Sequence, residues 1–248
     1  MRIQYLGHSA FLVTVASGEK LLFDPFITPN NLAKDKVDLN HLHPDYIFVS
    51  HAHFDHIADA ETISKNTQAP IIGVWEIHDY FQKKGCSTYP MNVGGTWQSR
   101  KSSLWVKLVP ALHSSSFPDG SYGGVAVGFV FSDGQHTAYY AGDTALSAEM
   151  EIIAERYELD LAFLPIGGTF TMDVEDALEA ALLLDVDQVI GMHYDTFEPI
   201  QLPDKDKARK TFEEVGITLH LLEIGEENDF GPLLTRPLPT RKESNPPF

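Results

Sequence analysis

The sequence predicts an α/β protein made of two β-sheets packed together, with helices on the outside. Three features predict it. Short β-rich runs fill the first quarter of the chain, and strands return in the middle. After each group of strands, strands and helices alternate, so the two halves share one coarse plan. At 248 residues and 43% hydrophobic, the chain can bury one large core.

In order, "RIQYL", "AFLVTV" and "KLLFD" read as strands joined by tight turns, one of them at Ser17-Gly18. Residues 25–44 form a long polar loop, a length often found in lids and binding loops. "DYIFVS" is a buried-type strand, "ADAETISKNTQ" a helix and "APIIGV" a strand. "WEIHDYFQKKG" is an amphipathic helix stopped by Gly85. "LWVKLVPA", "GGVAVGFVFSD" and "HTAYYAGD" are strands, the last two joined by a hairpin at Asp133-Gly134. Then helix and strand alternate through "SAEMEIIAERY", "LDLAFLPIG", "DVEDALEAALLL", "DQVIGMHY", "DKARKTFEEVG" and "ITLHLLE". Leu178, Leu182 and Val186 read as the core-facing stripe of their helix. Residues 1–231 are expected to form a single domain, and residues 232–248 a proline-rich, loosely attached tail.

The formal charge is −17, which disfavours nucleic acid and anionic membrane surfaces as partners and favours solubility. No apolar run approaches the ~20 residues that span a bilayer. The N-terminus alternates like a strand, without the apolar stretch of a signal peptide. Cys86 is the single cysteine, so no intramolecular disulfide forms, and no motif surrounds it. These features together predict a cytoplasmic protein acting on a small molecule, with homo-oligomerisation left open.

The densest chemical signal is "FVSHAHFDHIAD". It places His51, His53, Asp55 and His56 directly after a strand. Imidazole is the commonest metal ligand. Two residues apart on extended chain, His51 and His53 point to one side, while Asp55 and His56 start the next helix. His113, Asp143 and His193 also follow predicted strands, where loops gather at one edge of a sheet and sites are built. Residues of ligand type at four strand ends suit divalent ions that need nitrogen and carboxylate ligands plus open positions. His41, His43, His78, His136 and His220 lie outside this pattern and read as non-ligands. No glycine-rich phosphate loop or serine nucleophile elbow occurs.

The ordered set "HAHFDH", "HSSSF", "AGDT" and "MHY" resembles the metallo-β-lactamase fold superfamily. With "GHSAFLV", "FDPFIT", "GGTWQ", "YYAGDTAL", "LAFLPIGGTFTM" and "MHYDTF", it is similar to the small bacterial and archaeal group of metal-dependent hydrolases related to ascorbate-6-phosphate lactonases. The resemblance runs over roughly residues 1–225. It implies an αββα four-layer sandwich with its site in the cleft at the sheet edges. It also implies that His51, His53 and His113 bind one metal, that Asp55, His56 and His193 bind a second, and that Asp143 bridges them. Asp24 would accept from a ligand imidazole, and His8 would line the cleft. Gly168 departs from the group's pattern, which has an acidic residue there, so any role of that carboxylate is not carried over.

The expected chemistry is hydrolysis of a small ester, lactone or phosphodiester. Two divalent ions about 3.5–4 Å apart would share a hydroxide whose parent water has a pKa lowered toward about 7. Asp55 and Asp143 would act at the reacting centre. Without a cysteine ligand zinc is favoured, and manganese or iron remain open. Two other readings compete: a non-catalytic metal-binding protein and a di-iron redox protein on the same fold. The redox relatives carry an acidic residue where His53 stands and often a flavin domain, and this chain has neither.

Overall fold

The computed structural model describes residues 1–230; the expected tail at 232–248 lies outside them. Its strands form two seven-stranded sheets. The first half contributes β1 (Arg2–Gly7), β2 (Ala10–Thr14), β3 (Lys20–Phe23), β4 (Tyr46–Phe48), α1 (Phe54–Ile57), α2 (Ala60–Thr67), β5 (Ile71–Val74), α3 (Trp75–Lys83) and β6 (Thr88–Met91). The second contributes β7 (Thr96–Gln98), β8 (Trp105–Pro110), β9 (Val127–Ser132), β10 (Thr137–Tyr140), α4 (Glu149–Arg156), β11 (Leu161–Pro165), α5 (Val174–Leu183), β12 (Gln188–Met192), α6 (Lys205–Glu213) and β13 (Thr218–His220). A last strand, β14 (Glu227–Asp229), returns to pair with β1.

The orders are β14-β1-β2-β3-β4-β5-β6 and β13-β12-β11-β10-β9-β8-β7. Each sheet is antiparallel at one end and parallel at the other; α-helices cross over between the parallel pairs except β3 and β4, which the long 25–44 loop connects. Hairpins form at Ser17-Gly18 and Asp133-Gly134, as the turn residues require.

Aromatic rings from both sheets fill the space between them. Phe23 of the first sheet stacks on Tyr140 of the second at 4.7 Å, and Phe11 meets Phe163 edge-on at 4.9 Å. All four are fully buried, and each such side chain contributes roughly 1.5–3 kcal/mol.

Three strands escape a sequence reading: β6, β7 and β14. All are sheet edges. The first contains Pro90 and the last reads Glu-Asn-Asp, which is how proteins blunt exposed edges. Two expectations need correction. Of the expected stripe, Val186 is buried beyond the helix and Leu178 packs on the core, but Leu182 is exposed, and α5 buries Ala177, Ala180 and Ala181. The small alanines let that helix sit close to its neighbours. The long loop at 25–44 is not a free lid. It buries Phe26, Ile27, Asn30 and Ala33. Asp59 anchors it, accepting from Ile27 N at 2.6 Å, Thr28 N at 2.9 Å and Thr28 Oγ1 at 2.5 Å.

Among the described residues, no helix is long and apolar enough to cross a membrane.

Candidate metal centre

The strand ends that converge at one edge of the sandwich carry the predicted residues. His51 lies three positions beyond β4, His113 three beyond β8 and Asp143 three beyond β10, while His193 directly follows β12. Asp55 and His56 lie in the single turn of α1. The backbone is bent sharply here. His8, Asp24 and His193 have φ of 58°, 41° and 57°, a left-handed region that L residues rarely adopt. Such strain concentrates where side chains must be aimed at a site. Gly142, at φ 62°, lets the Asp143 loop approach the first sheet, since a Cβ there would come 2.9 Å from Ser50 Cβ.

Asp143 Oδ2 is the point of convergence. His193 Nε2 lies 3.0 Å from it, His56 Nε2 3.4 Å, His113 Nε2 3.6 Å and His51 Nε2 3.9 Å. The donor atoms of His51, His53 and His113 fall within 4.8 Å of one another, as do those of His8, Asp55, His56 and His193. His51 Nε2 and His53 Nδ1 face each other at 2.9 Å.

A layer of hydrogen bonds behind these rings sets their orientation. Asp24 Oδ2 accepts from His56 Nδ1 at 2.8 Å and from Ser50 Oγ at 2.6 Å. Asp24 Oδ1 accepts from the Ser50 amide at 2.7 Å. Because Ser50 Oγ gives its proton to Asp24, it accepts from His51 Nδ1 at 3.0 Å. Both rings therefore carry a proton on Nδ1 and turn Nε2 toward Asp143, so Nε2 is the atom each would offer an ion. Tyr140 Oη, 2.7 Å from Asp24 Oδ2 and 2.8 Å from Ser9 O, shares its single proton between them. On the other side, His8 Nε2 donates to Asp55 Oδ2 at 3.1 Å, and Thr196 Oγ1 lies 2.9 Å from His8 Nδ1.

The electrostatics suit a cation. Burial lowers the pKa of His51, His53 and His113 and takes His8 down to about 4, so these rings are neutral at pH 7. Burial alone would raise Asp143, but His193 and His56 outweigh it and hold the carboxyl well below its usual range. Burial likewise opposes ionisation of Asp55, and the His8 hydrogen bond and the charge of His56 overcome it. Burial would lower His56, yet Asp143 and Asp24 raise it well above the usual value. The two carboxylates thus favour positive charge at this position. Buried Asp143 Oδ1 and His56 Nε2 have no hydrogen-bond partner among the described residues, which is rare for buried polar atoms. A nitrogen-rich donor set with carboxylates fits a divalent metal ion.

All seven predicted ligand residues and both supporting ones, His8 and Asp24, come together. His41, His43, His78, His136 and His220 contribute no atom to these clusters. Sequence reasoning missed Ser50, Tyr140, Thr196 and the loop anchor Asp59. Ser50 and Asp59 flank the histidine motif, so adjacency was an available signal. Tyr140 and Thr196 carried none. Of the three serines after His113, Ser114 lines the cleft with its Oγ 3.5 Å from His53 Nε2, while Ser115 Oγ accepts from the Ala52 amide.

Comparison with known proteins points the same way. The β-lactamase superfamily domain matches residues 19–194. A UPF0173 metal-dependent hydrolase of Methylacidiphilum infernorum is 49% identical over 229 residues, covering 91% of this chain and 98% of that one. One from Christiangramia forsetii is 47% identical over 226 residues with the same coverage. The structure of Igni18, a metallo hydrolase from the hyperthermophilic archaeon Ignicoccus hospitalis, superposes with a TM-score of 0.82 at 37% identity, covering 92% of this chain and 98% of that one. The fold is that of the metallo-β-lactamases, and the chain belongs to the β-lactamase superfamily and, within it, to the UPF0173 metal-dependent hydrolases.

Proposed function

We propose that this chain, a metal-dependent hydrolase, works with two divalent cations and opens a small ester, lactone or phosphodiester. His51, His53 and His113 would hold one cation, Asp55, His56 and His193 the other, and Asp143 would reach both. The observation that carries this reading is the approach of four imidazole Nε2 atoms to the single oxygen Asp143 Oδ2, at 3.0 to 3.9 Å. When bound, the cations would supply Lewis acidity and lower the pKa of water.

The protein's own residues prepare that chemistry. The Asp24 network orients the rings of His51 and His56 before any ion arrives, with Nδ1 the donor in each. His8 holds one oxygen of Asp55, which keeps that carboxylate ionised and aimed at the cleft. Buried Tyr140 stays protonated, its pKa raised by burial and by Asp24, so it remains a donor to this network. The cleft measures about 440 Å³ and also includes Ser114, Thr169, Phe170 and Phe197. That is a small-molecule volume. With a net charge of −17, the chain gains nothing from steering a polyanion such as RNA.

Elemental analysis of protein purified without chelator should find close to two ions per chain, with turnover of small esters, lactones or phosphodiesters and little on duplex DNA or folded RNA. Less than half an ion after reconstitution would overturn the binuclear reading. Full metal without turnover on any class would favour a binding protein.

A further inference from the structure

We infer that the cleft takes an uncharged ester or lactone whose acyl part is apolar and about one aromatic ring in size. This deepens the hydrolase reading and rests on it. Phe170 and Phe197 line the cleft, yet they are 54% and 38% exposed. Phe54, 52% exposed, packs edge-on against Phe26 at 5.7 Å, and Phe26 lies 6.1 Å from Phe197. The loops after β11 and β12 thus each bring a phenyl ring to the cleft, and Phe54 of α1 continues the aromatic group beyond buried Phe26. Exposed aromatic rings gathered at a cleft are a recognition surface rather than a solubility device.

Phe170 is also held in place. Gly168 and Thr169 both have positive φ, 67° and 59°. The loop closes on itself through Gly168 N to Met172 O at 3.0 Å, and Thr169 Oγ1 donates to Pro199 O at 2.8 Å. A strained, tied loop that presents an apolar ring to solvent is preorganised for an apolar ligand.

Charge narrows the class. Asp55 and Asp143 are the cleft's acidic side chains, and among the described residues no lysine or arginine lines it. Phosphate recognition ordinarily uses such cations, so a dianionic phosphate would have only the resident ions to meet it. In the expected reaction water cleaves the acyl C–O bond: the acyl carbon gains the hydroxyl, and the leaving oxygen gains the proton.

The test uses metal-loaded full-length chain and ethyl esters followed by pH-stat, so that the leaving group adds no ring. Ethyl 4-phenylbutyrate should exceed ethyl acetate in kcat/KM by about tenfold or more, and phenyl phosphate should not be turned over. Phe170→Ala should bring the ester ratio toward one, mainly through KM, and Phe170→Leu should restore part of it. A separate readout is calorimetric binding of neutral 4-phenylbutyramide, expected for the wild type and weakened in Phe170→Ala. Equal rates on both esters, a ratio indifferent to Phe170→Ala, or preferred turnover of phenyl phosphate would each overturn the apolar class while leaving a hydrolase. If no ester, lactone or phosphodiester is turned over with both ions bound, the proposed hydrolysis at this site fails. In that case amide binding alone decides whether the apolar seat exists.

Discussion

The two sheets hold their share of the centre by different means. On the first-sheet side, His51 and His56 are aimed by side chains: Asp24 takes the Nδ1 proton of His56 directly and that of His51 through Ser50. On the second-sheet side, Asp143 and His193 are aimed by the backbone. Gly142 packs against Ser50, and the amide of His193 donates to His8 O at 3.0 Å from a left-handed conformation. Buried Asp143 Oδ1 and His193 Nδ1 have no hydrogen-bond partner among the described residues. His56 Nε2 on the first wall is unpartnered too, but there the rings are held from behind by side chains, whereas Asp143 Oδ1 and His193 Nδ1 on the second wall have no such support among the described residues. A site divided in this way should respond differently to loss of a ligand and loss of a supporting residue.

The largest effect is expected from Asp143→Ala. It removes the oxygen that four imidazoles approach, and no neighbouring side chain can replace it. Turnover should fall by about two orders of magnitude or more, and one of the two ions should be lost. Full metal and full turnover in this variant would refute the shared-ligand role.

Asp24→Asn should cost less. The amide oxygen can still accept from His56, but the negative charge that fixes both rings is gone. Metal affinity should drop roughly 10–100-fold while two ions still bind at saturation. Chelator competition measures this. An affinity unchanged within twofold would mean that the first wall needs no side-chain support, and the contrast between the walls would disappear.

How far the sequence revealed these walls follows the same division. The ligands were legible because they are short-range events: a histidine cluster after one strand and single ligand-type residues after three others. Their assignment to two ions came from family resemblance, since spacing alone does not pair His113 with His51. Asp24 was visible as an aspartate ending a strand. Its partner Tyr140, 116 residues away, was not, because two sheets must meet before that hydrogen bond exists. Edge strands β6 and β14 stayed hidden because proline and charge, which protect an edge, erase the pattern by which a strand is recognised, and β7 is only three residues long. The anchoring of the 25–44 loop by Asp59 was hidden for a related reason, as a carboxylate that satisfies backbone amides leaves no periodicity.

Acidification should sharpen the contrast in the metal-free chain. His8, His51, His53 and His113 have folded pKa values lowered by burial, His8 to about 4. An unfolded imidazole titrates near 6.5. Between that value and the folded one, the unfolded chain binds more protons, so stability rises with pH and is lost as pH falls below about 6.5. His56 acts in the opposite sense. Its folded pKa is raised by Asp143 and Asp24 against the effect of burial. Its contribution is full below about 6.5 and fades as pH rises through the raised value. With His220, also lowered by burial, five groups oppose one, so urea midpoints in chelator should be lower at pH 5 than at pH 7. Asp24→Asn weakens the His56 term and should steepen the fall. A midpoint that rises on acidification would contradict the neutral buried rings.

The smallest effect is expected at a histidine remote from both walls. His78 lies on α3, is buried, and pairs through Nδ1 with Thr88 Oγ1 of β6 at 2.8 Å. It shares residue type and burial with the metal-centre histidines but contributes no atom to any ligand cluster. His78→Ala removes one hydrogen bond and part of the packing beneath an edge strand, a loss of roughly 1 kcal/mol. For a chain of this size that lowers the melting temperature by about 2–4 °C. Metal content and kcat/KM should stay within twofold of wild type, because β5 separates the β6 edge from β4, which leads to His51, and both β5 and β4 separate it from β3, which leads to Asp24. Loss of an ion in this variant, measured beside Asp24→Asn under the same chelator, would show that imidazole burial in general, rather than the network behind the two walls, governs metal retention.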